Sequence, residues 1–230
     1  MLFGKFLSVS AQQQKLLAKT TDPGVRHYLQ TPLPSMNTPY AEVEYLALDF
    51  ETTGLNARQE AILSVGYSVI QQQRIQLSEN GHHIIKVNRP ISEESIVIHK
   101  ITEERACRGE HIHDVMQLLL RKMAGRVLLV HYAAIEKNFL KQICKQLYGF
   151  HLPFLMVDTF ALEYNYLHKT GQLIVEQQLR LSNLRKHYGL PRYHAHNAMV
   201  DAIATAELFL AQMQSRHTTA CQIPLKQILL

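Results

Sequence analysis

The chain is short of cysteine, of charge and of long apolar runs, and each shortage closes off a class of protein. Cysteine occurs only three times in 230 residues, at Cys107, Cys144 and Cys221, with no Cys-x-x-Cys pair. An odd, scattered set supports neither a secreted disulfide framework nor a structural zinc site, so a reducing cytoplasm is the expected compartment. The best apolar run, Val127 to Val130, stops at His131, far short of the roughly 20 residues a membrane helix needs. The N-terminal stretch MLFGKFLSVSAQQQKLLAK breaks its apolar residues with Gln and Lys and lacks the continuous core of a signal peptide. No membrane partner is expected. Charged residues make up 19% of the chain against 47% hydrophobic, and a chain this apolar buries enough surface to order its backbone, which excludes a disordered protein. There is no internal repeat and no low-complexity tract.

What remains is one well-cored domain with ornaments. Residues 1–40 differ from the rest. A short helix is expected over 12–19, then breakers at Asp22-Pro23-Gly24, then TPLPSMNTP, whose three prolines read as an extended connector. The core is expected over 44–214, followed by a tail at 215–230. Strands are expected at 45–50 and 61–70, with a weaker one at 74–87 broken at Asn80-Gly81, a pair that favours a turn. The period then changes: helix at 115–123, strand at 126–130, helix at 134–147, strand at 154–158, helix at 160–168. Two helices close the pattern, one ending at Gly189-Leu190-Pro191 and one running from about Asn197 to Met213. Strands first, then alternating strand and helix, indicate an α/β domain with a mixed sheet flanked by helices.

Asp49 and Glu51 stand two apart in the apolar strand LALDFETTGL, and period two puts both carboxylates on one face. Neighbouring acids repel and are costly to desolvate, so the pair makes best sense around a cation; a strand end reaching solvent is the plainer account. On the helix after strand 126–130, the stripe Leu140, Ile143, Leu147 is centred on the direction of Glu136, which therefore points inward from the first turn, where it could equally serve the helix dipole. Lys137, Lys141 and Lys145 form a separate stripe that reads as a solvated face or a track for a phosphate backbone. In HAHNAMVDAIATAELFL, His196 and Asp201 would be roughly 140° apart on a continuous helix. They converge only if His196 lies on the preceding loop, with Asn197 as N-cap and Asp201 one turn in. Ala204, Thr205 and Leu208 share the face of Asp201, which is thereby carried on a buried element.

Four carboxylates from three elements form a hard, oxygen-rich set that selects magnesium or manganese over zinc. Two such ions suit phosphoryl chemistry, with His196 as the base that takes a proton from water. A net charge of +5 suits a nucleic-acid partner, although ordinary enzymes share it.

The segments LDFETTGL at 48–55, IVIHKIT at 96–102, VHYAAIEKNFL at 130–140, DTFAL at 158–162 and HNAMVDAIATAELFL at 196–210 together resemble the DEDDh 3'→5' exonucleases, among them the proofreading epsilon subunit of bacterial DNA polymerase III and its free-standing relatives. The resemblance implies a ribonuclease H-like mixed sheet. It also implies Asp49, Glu51, Glu136 and Asp201 holding two divalent ions, Mg2+ or Mn2+, with His196 as base and nucleoside 5'-monophosphates released from a 3' end. By the same resemblance Thr52, Thr53 and Leu55 hold and wedge the terminal nucleotide, and His99 and Glu94 contact substrate; a helix-end histidine is the plainer account of His99. The chain departs from the family in its second motif, usually H-N-A-x-F-D, which here reads His131-Tyr132-Ala133-Ala134-Ile135-Glu136.

The leading expectation is a metal-dependent exonuclease on single-stranded DNA ends. An RNA 3'-trimming enzyme of the same family is the near alternative, and a non-catalytic nucleic-acid or partner-binding module with a drifted second motif the distant one. His111-Ile112-His113-Asp114 could suggest a metal but is explained by polar residues opening an amphipathic helix, and His82-His83 and His194 are set aside with it. Residues 1–40 and the tail CQIPLKQILL are the segments left for a protein partner, although the tail is apolar enough to pack on the domain itself.

Overall fold

A computed structural model describes residues 9–193, 196–216 and 222–230. Five strands form one sheet in the order β3-β2-β1-β4-β5. They span Tyr45–Thr52 (β1), Ile62–Gln71 (β2), Arg74–Ile84 (β3), Val127–Val130 (β4) and Met156–Asp158 (β5). β1 pairs antiparallel with β2 and parallel with β4, β2 antiparallel with β3, and β4 parallel with β5. This is the mixed sheet that the run of hairpin strands followed by strand–helix alternation predicts.

Alternation along β1 divides the core. Leu46, Leu48 and Phe50 join a cluster with Val25, Tyr28, Met116, Leu119, Phe139 and Leu140, from helices α2 (Pro23–Gln30), α5 (Ile112–Met123) and α6 (Ala134–Tyr148). Tyr45 and Ala47 face the other way, onto Ala202, Ala206, Phe209 and Met213 of α9 (Ala198–Arg216). Asp49 and Glu51 continue the series of Tyr45 and Ala47, so both acids lie on the α9 side. α6 and α9 thus cover opposite faces of the sheet.

Two local expectations are corrected. Asp22-Pro23-Gly24 does not break the chain but starts α2. Asp22 caps the helix by accepting from Val25 N–H at 2.9 Å, and Pro23 takes the first turn, where a missing N–H costs nothing. Tyr28 and Leu29 then enter the core, with the Tyr28 hydroxyl donating to Pro153 O at 2.6 Å. Asn80-Gly81 is not a turn either, because β3 runs through it. Tyr67 pairs with Gly81 and Val69 with Gln76, so 77–80 bulge opposite Ser68. The first helix, α1, covers Val9–Leu17.

The tail packs on the chain's own connector. Tyr40 N–H donates to Ile223 O and Leu225 N–H to Thr38 O, while Leu225 and Ile228 join the cluster around Tyr40 and Phe209. Cys107 is exposed and Cys144 buried, both free thiols; Cys221 and His194 lie outside the described residues. Among the described residues no helix is long and apolar enough to cross a membrane.

Candidate active site

The carboxyl end of β1 delivers Asp49 and Glu51, and the start of α9 comes down on them because of a glycine. Gly66 of β2 pairs with Asp49, and a Cβ there would lie 1.9 Å from the carbonyl carbon of Ala198. Only glycine lets the first turn of α9 rest directly on the sheet. His196 lies on the loop ahead of that helix, at φ +68°. Asn197 Oδ1 accepts from Val200 N–H at 3.2 Å, and Asp201 Oδ2 accepts from His196 N–H at 2.8 Å. The placement expected from helical geometry is the one observed.

Ligand oxygens of Asp49, Glu51 and Asp201 all lie within 4.8 Å of one another, and an overlapping group joins Glu51 to ring nitrogens of His99 and His196. His99 ends the short helix α3 (Glu93–His99) and sets Nδ1 2.5 Å from Glu51 Oε2. It is both a helix-end histidine and a neighbour of the acids. The rings of His99 and His196 meet edge to face at 6.0 Å.

Glu136 is not in that group. It belongs to the α6 layer, so it approaches from the other side of β1, buried to 2% exposure, where the N–H groups of Phe50 and of Glu136 itself favour its charged form. Its field nevertheless reaches the trio. Burial, then Glu136, Glu51 and Asp201, hold Asp49 well above the usual carboxylate range. Burial chiefly, helped by Asp158 and Glu51, pushes Glu136 up to about 8. Burial also raises Asp201 against the lowering effect of His196 N–H. Among the described residues Glu51 Oε1 and Glu136 Oε2 are buried without a hydrogen-bond partner. Crowded acids, raised pKa values and orphaned oxygens fit a site built for hard divalent cations.

A residue that sequence reasoning passed over aims Glu136. Asp158 caps α7 (Thr159–Lys169) through Phe160 N–H, and both its oxygens also accept, each at 2.9 Å, from the N–H groups of Tyr132 and Ala133. That clamp holds Tyr132 at φ +68° and fixes the entry to α6. His131, beside it, places Nδ1 2.8 Å from Thr159 Oγ1. Burial lowers its pKa to about 4, so its ring is neutral at pH 7.

A cleft of about 890 Å3 opens over Asp49, Asp201, His196 and His131, and its far wall carries Arg180, Lys186 and Arg192, all three exposed. Buried Arg185 braces this wall by donating to Ala204 O and Pro191 O, each at 2.8 Å, and pairing with Glu207 at 2.7 Å. On the other side of His196 a smaller pocket of about 350 Å3 is lined by Ser64, His82, His99 and Arg105. His82, set aside in the sequence, therefore shares this pocket with His99 and His196. His83 instead pairs with Glu110 at 2.8 Å, and exposed His113 with Asp114 at 3.4 Å. Lys137, Lys141 and Lys145 are exposed.

The expected substrate residues divide. Thr52 is buried, with its hydroxyl on Gly54 O at 2.9 Å. Thr53 Oγ1 is engaged by Glu60 and by Arg89. Leu55 is 76% exposed. Glu94 is exposed in the first turn of α3, and no contact ties it to the acids.

Residues 46–209 match the family model described as Exonuclease. The chain is 28% identical over 176 residues to the PolC-type DNA polymerase III of Thermotoga petrophila, covering 76% of this chain and 12% of that one. It is also 28% identical over 173 residues to the DNA polymerase III subunit epsilon of Treponema pallidum, covering 74% of this chain and 76% of that one. The chain thus spans only a small part of the PolC-type relatives and about three quarters of that epsilon subunit. Its fold superposes on the nuclease domain of 3'hExo, a DEDDh family member bound to rAMP, with a TM-score of 0.64 at 16% identity, over 81% of this chain and 97% of that one. The chain belongs to the exonuclease family.

Proposed function

We propose that this chain removes nucleoside 5'-monophosphates one at a time from single-stranded DNA 3' ends, in the cytoplasm. The observation that carries the reading is the convergence of Asp49, Glu51 and Asp201 within 4.8 Å, beside His196 and under a cleft with a cationic wall. Asp49, Glu51, Asp201 and Glu136 would hold two magnesium or manganese ions, whose charge lowers the pKa of water and stabilises the leaving oxygen. Arg180, Lys186 and Arg192 attract the phosphate backbone to an otherwise acidic spot. Asp201 holds the backbone of His196, so the imidazole stands at the mouth of the cleft and takes the proton of the attacking water. Leu55, exposed at the start of the loop, wedges against the terminal base, and unpaired ends are preferred because they separate more easily.

DNA is favoured over RNA by the DNA polymerase subunits among the relatives. Matched DNA and RNA oligonucleotides with magnesium test this. Faster DNA shortening with release of 5'-monophosphates supports the reading, and faster RNA shortening makes the chain an RNA-trimming enzyme. Binding without turnover in any divalent metal would make it a binding module. Glu136→Gln tests the second motif: unchanged activity with magnesium would reduce Glu136 to a structural acid.

A further inference from the structure

α7 carries an aromatic stripe that leads away from the cleft. Phe160, Tyr164 and His168 fall at i, i+4 and i+8, on one face of the helix. The rings of Tyr164 and His168 lie nearly parallel, 7° apart in plane and 6.3 Å between centroids. Tyr164 is 44% exposed, and His168 is exposed. At the head of the stripe, Phe160 meets His131 edge-on at 6.1 Å and Tyr132 at 5.4 Å. His131 lines the cleft together with Asp49 and Asp201, so the aromatic series is continuous with the catalytic site.

Neither exposed tyrosine serves the core. Tyr132 and Tyr164 belong to none of the buried clusters, and Tyr132 is 47% exposed at a left-handed φ that β-carbon residues rarely adopt. Asp158 enforces that conformation through two hydrogen bonds. A half-exposed ring held out of the core in this way offers surface to a partner.

We propose that the stripe is the track for the single strand upstream of the scissile bond, with bases stacking on Tyr132 and Tyr164 and the backbone drawn by the cations of the cleft wall. Stacking on aromatic faces beside cations is how single strands are held without sequence preference. Flat rings in a file suit successive bases better than a protein segment, which would need a contiguous apolar surface. From Phe160 to His168 the helix rises about 12 Å. At about 3.4 Å per nucleotide this seats roughly three to four nucleotides. The inference rests on the exonuclease reading above and deepens it, by assigning the chain a binding site for strand beyond the reacting nucleotide.

The test is kcat/KM for oligothymidylates of two, four, six and eight nucleotides with magnesium. Wild type should gain efficiency with length and level off near six. Tyr164→Ala should lose roughly ten-fold on the octamer, as expected for one lost stacking contact, yet keep its dinucleotide rate within about two-fold, since the shorter substrate does not reach Tyr164. The chain contains no tryptophan, so Tyr164→Trp supplies a single reporter: the octamer should quench its emission and thymidine monophosphate should not. Equal efficiency at all lengths, or emission indifferent to the octamer, overturns the track while leaving the exonuclease reading intact. No turnover at any length overturns that reading instead. Because Tyr164 is exposed, both variants should melt with the wild type.

Discussion

Replacing Glu136 by Gln should stabilise the metal-free protein at alkaline pH while removing activity. The Glu136 carboxyl is moved from 4.5 to about 8, chiefly by burial. A folded-state pKa raised above the unfolded value makes the folded protein hold its proton more tightly. The advantage is fully present below about pH 4.5 and is lost as pH rises through 8, where the buried group must ionise. At about 1.36 kcal/mol per pKa unit, the metal-free wild type loses about 3 kcal/mol by pH 7 and about 4–5 kcal/mol by pH 8.5 from this group alone. Glutamine keeps the shape and cannot ionise. It also removes a charge that raises Asp49, so the gain should be no smaller than this. For a chain of this size each kcal/mol shifts Tm by roughly 2–4 °C. Thermal melts in chelator should therefore show the two proteins together near pH 4 and Glu136→Gln higher by about 8–20 °C at pH 8.5. Magnesium should then raise the wild type more than the variant, because it supplies the charge that the acids lack. A Tm difference that does not change between pH 4 and pH 8.5 would refute the reasoning, because Glu136 would not be a buried acid kept protonated by its surroundings.

His196→Ala should cut kcat by roughly 10²–10⁴-fold with little change in oligonucleotide affinity, as loss of a general base does; an equal fall in affinity would mark it as a binding residue. Gly66→Ala should abolish turnover although Gly66 touches no substrate, since its Cβ would collide with Ala198 backbone at 1.9 Å and displace His196 and Asp201; full activity would show that α9 does not depend on that contact. Deleting 222–230 removes Leu225 and Ile228 from the core and should cost about 3–6 kcal/mol, read as a fall in Tm; an unchanged melt would show that the tail merely rests on the domain.

The catalytic geometry was legible where it rests on local periodicity. Period two put Asp49 and Glu51 together, the apolar stripe of α6 turned Glu136 inward, and the angle between His196 and Asp201 forced a loop before α9. What stayed hidden depends on contacts between residues far apart in the chain. Gly66 reads as an unremarked residue in a strand until α9 is laid across it. Asp158 reads only as the end of a strand, and its roles as cap of α7 and as clamp on Tyr132 and Ala133 from 25 or more residues away appear only in three dimensions. Asp22-Pro23-Gly24 carries both a break signal and a helix-start signal, and burial of Val25, Tyr28 and Leu29 decides for the helix. His82 approaches the site because the bulge at 77–80 sets its register opposite Gly66.

The most direct test of the central claim follows a 5'-labelled single-stranded oligonucleotide over time with magnesium, with Asp49→Asn and Asp201→Asn as controls. The account predicts a ladder of bands shortening one nucleotide at a time from the 3' end, absent in chelator and in both variants. Label released as a mononucleotide at the outset, or an intact substrate with both DNA and RNA, would contradict it.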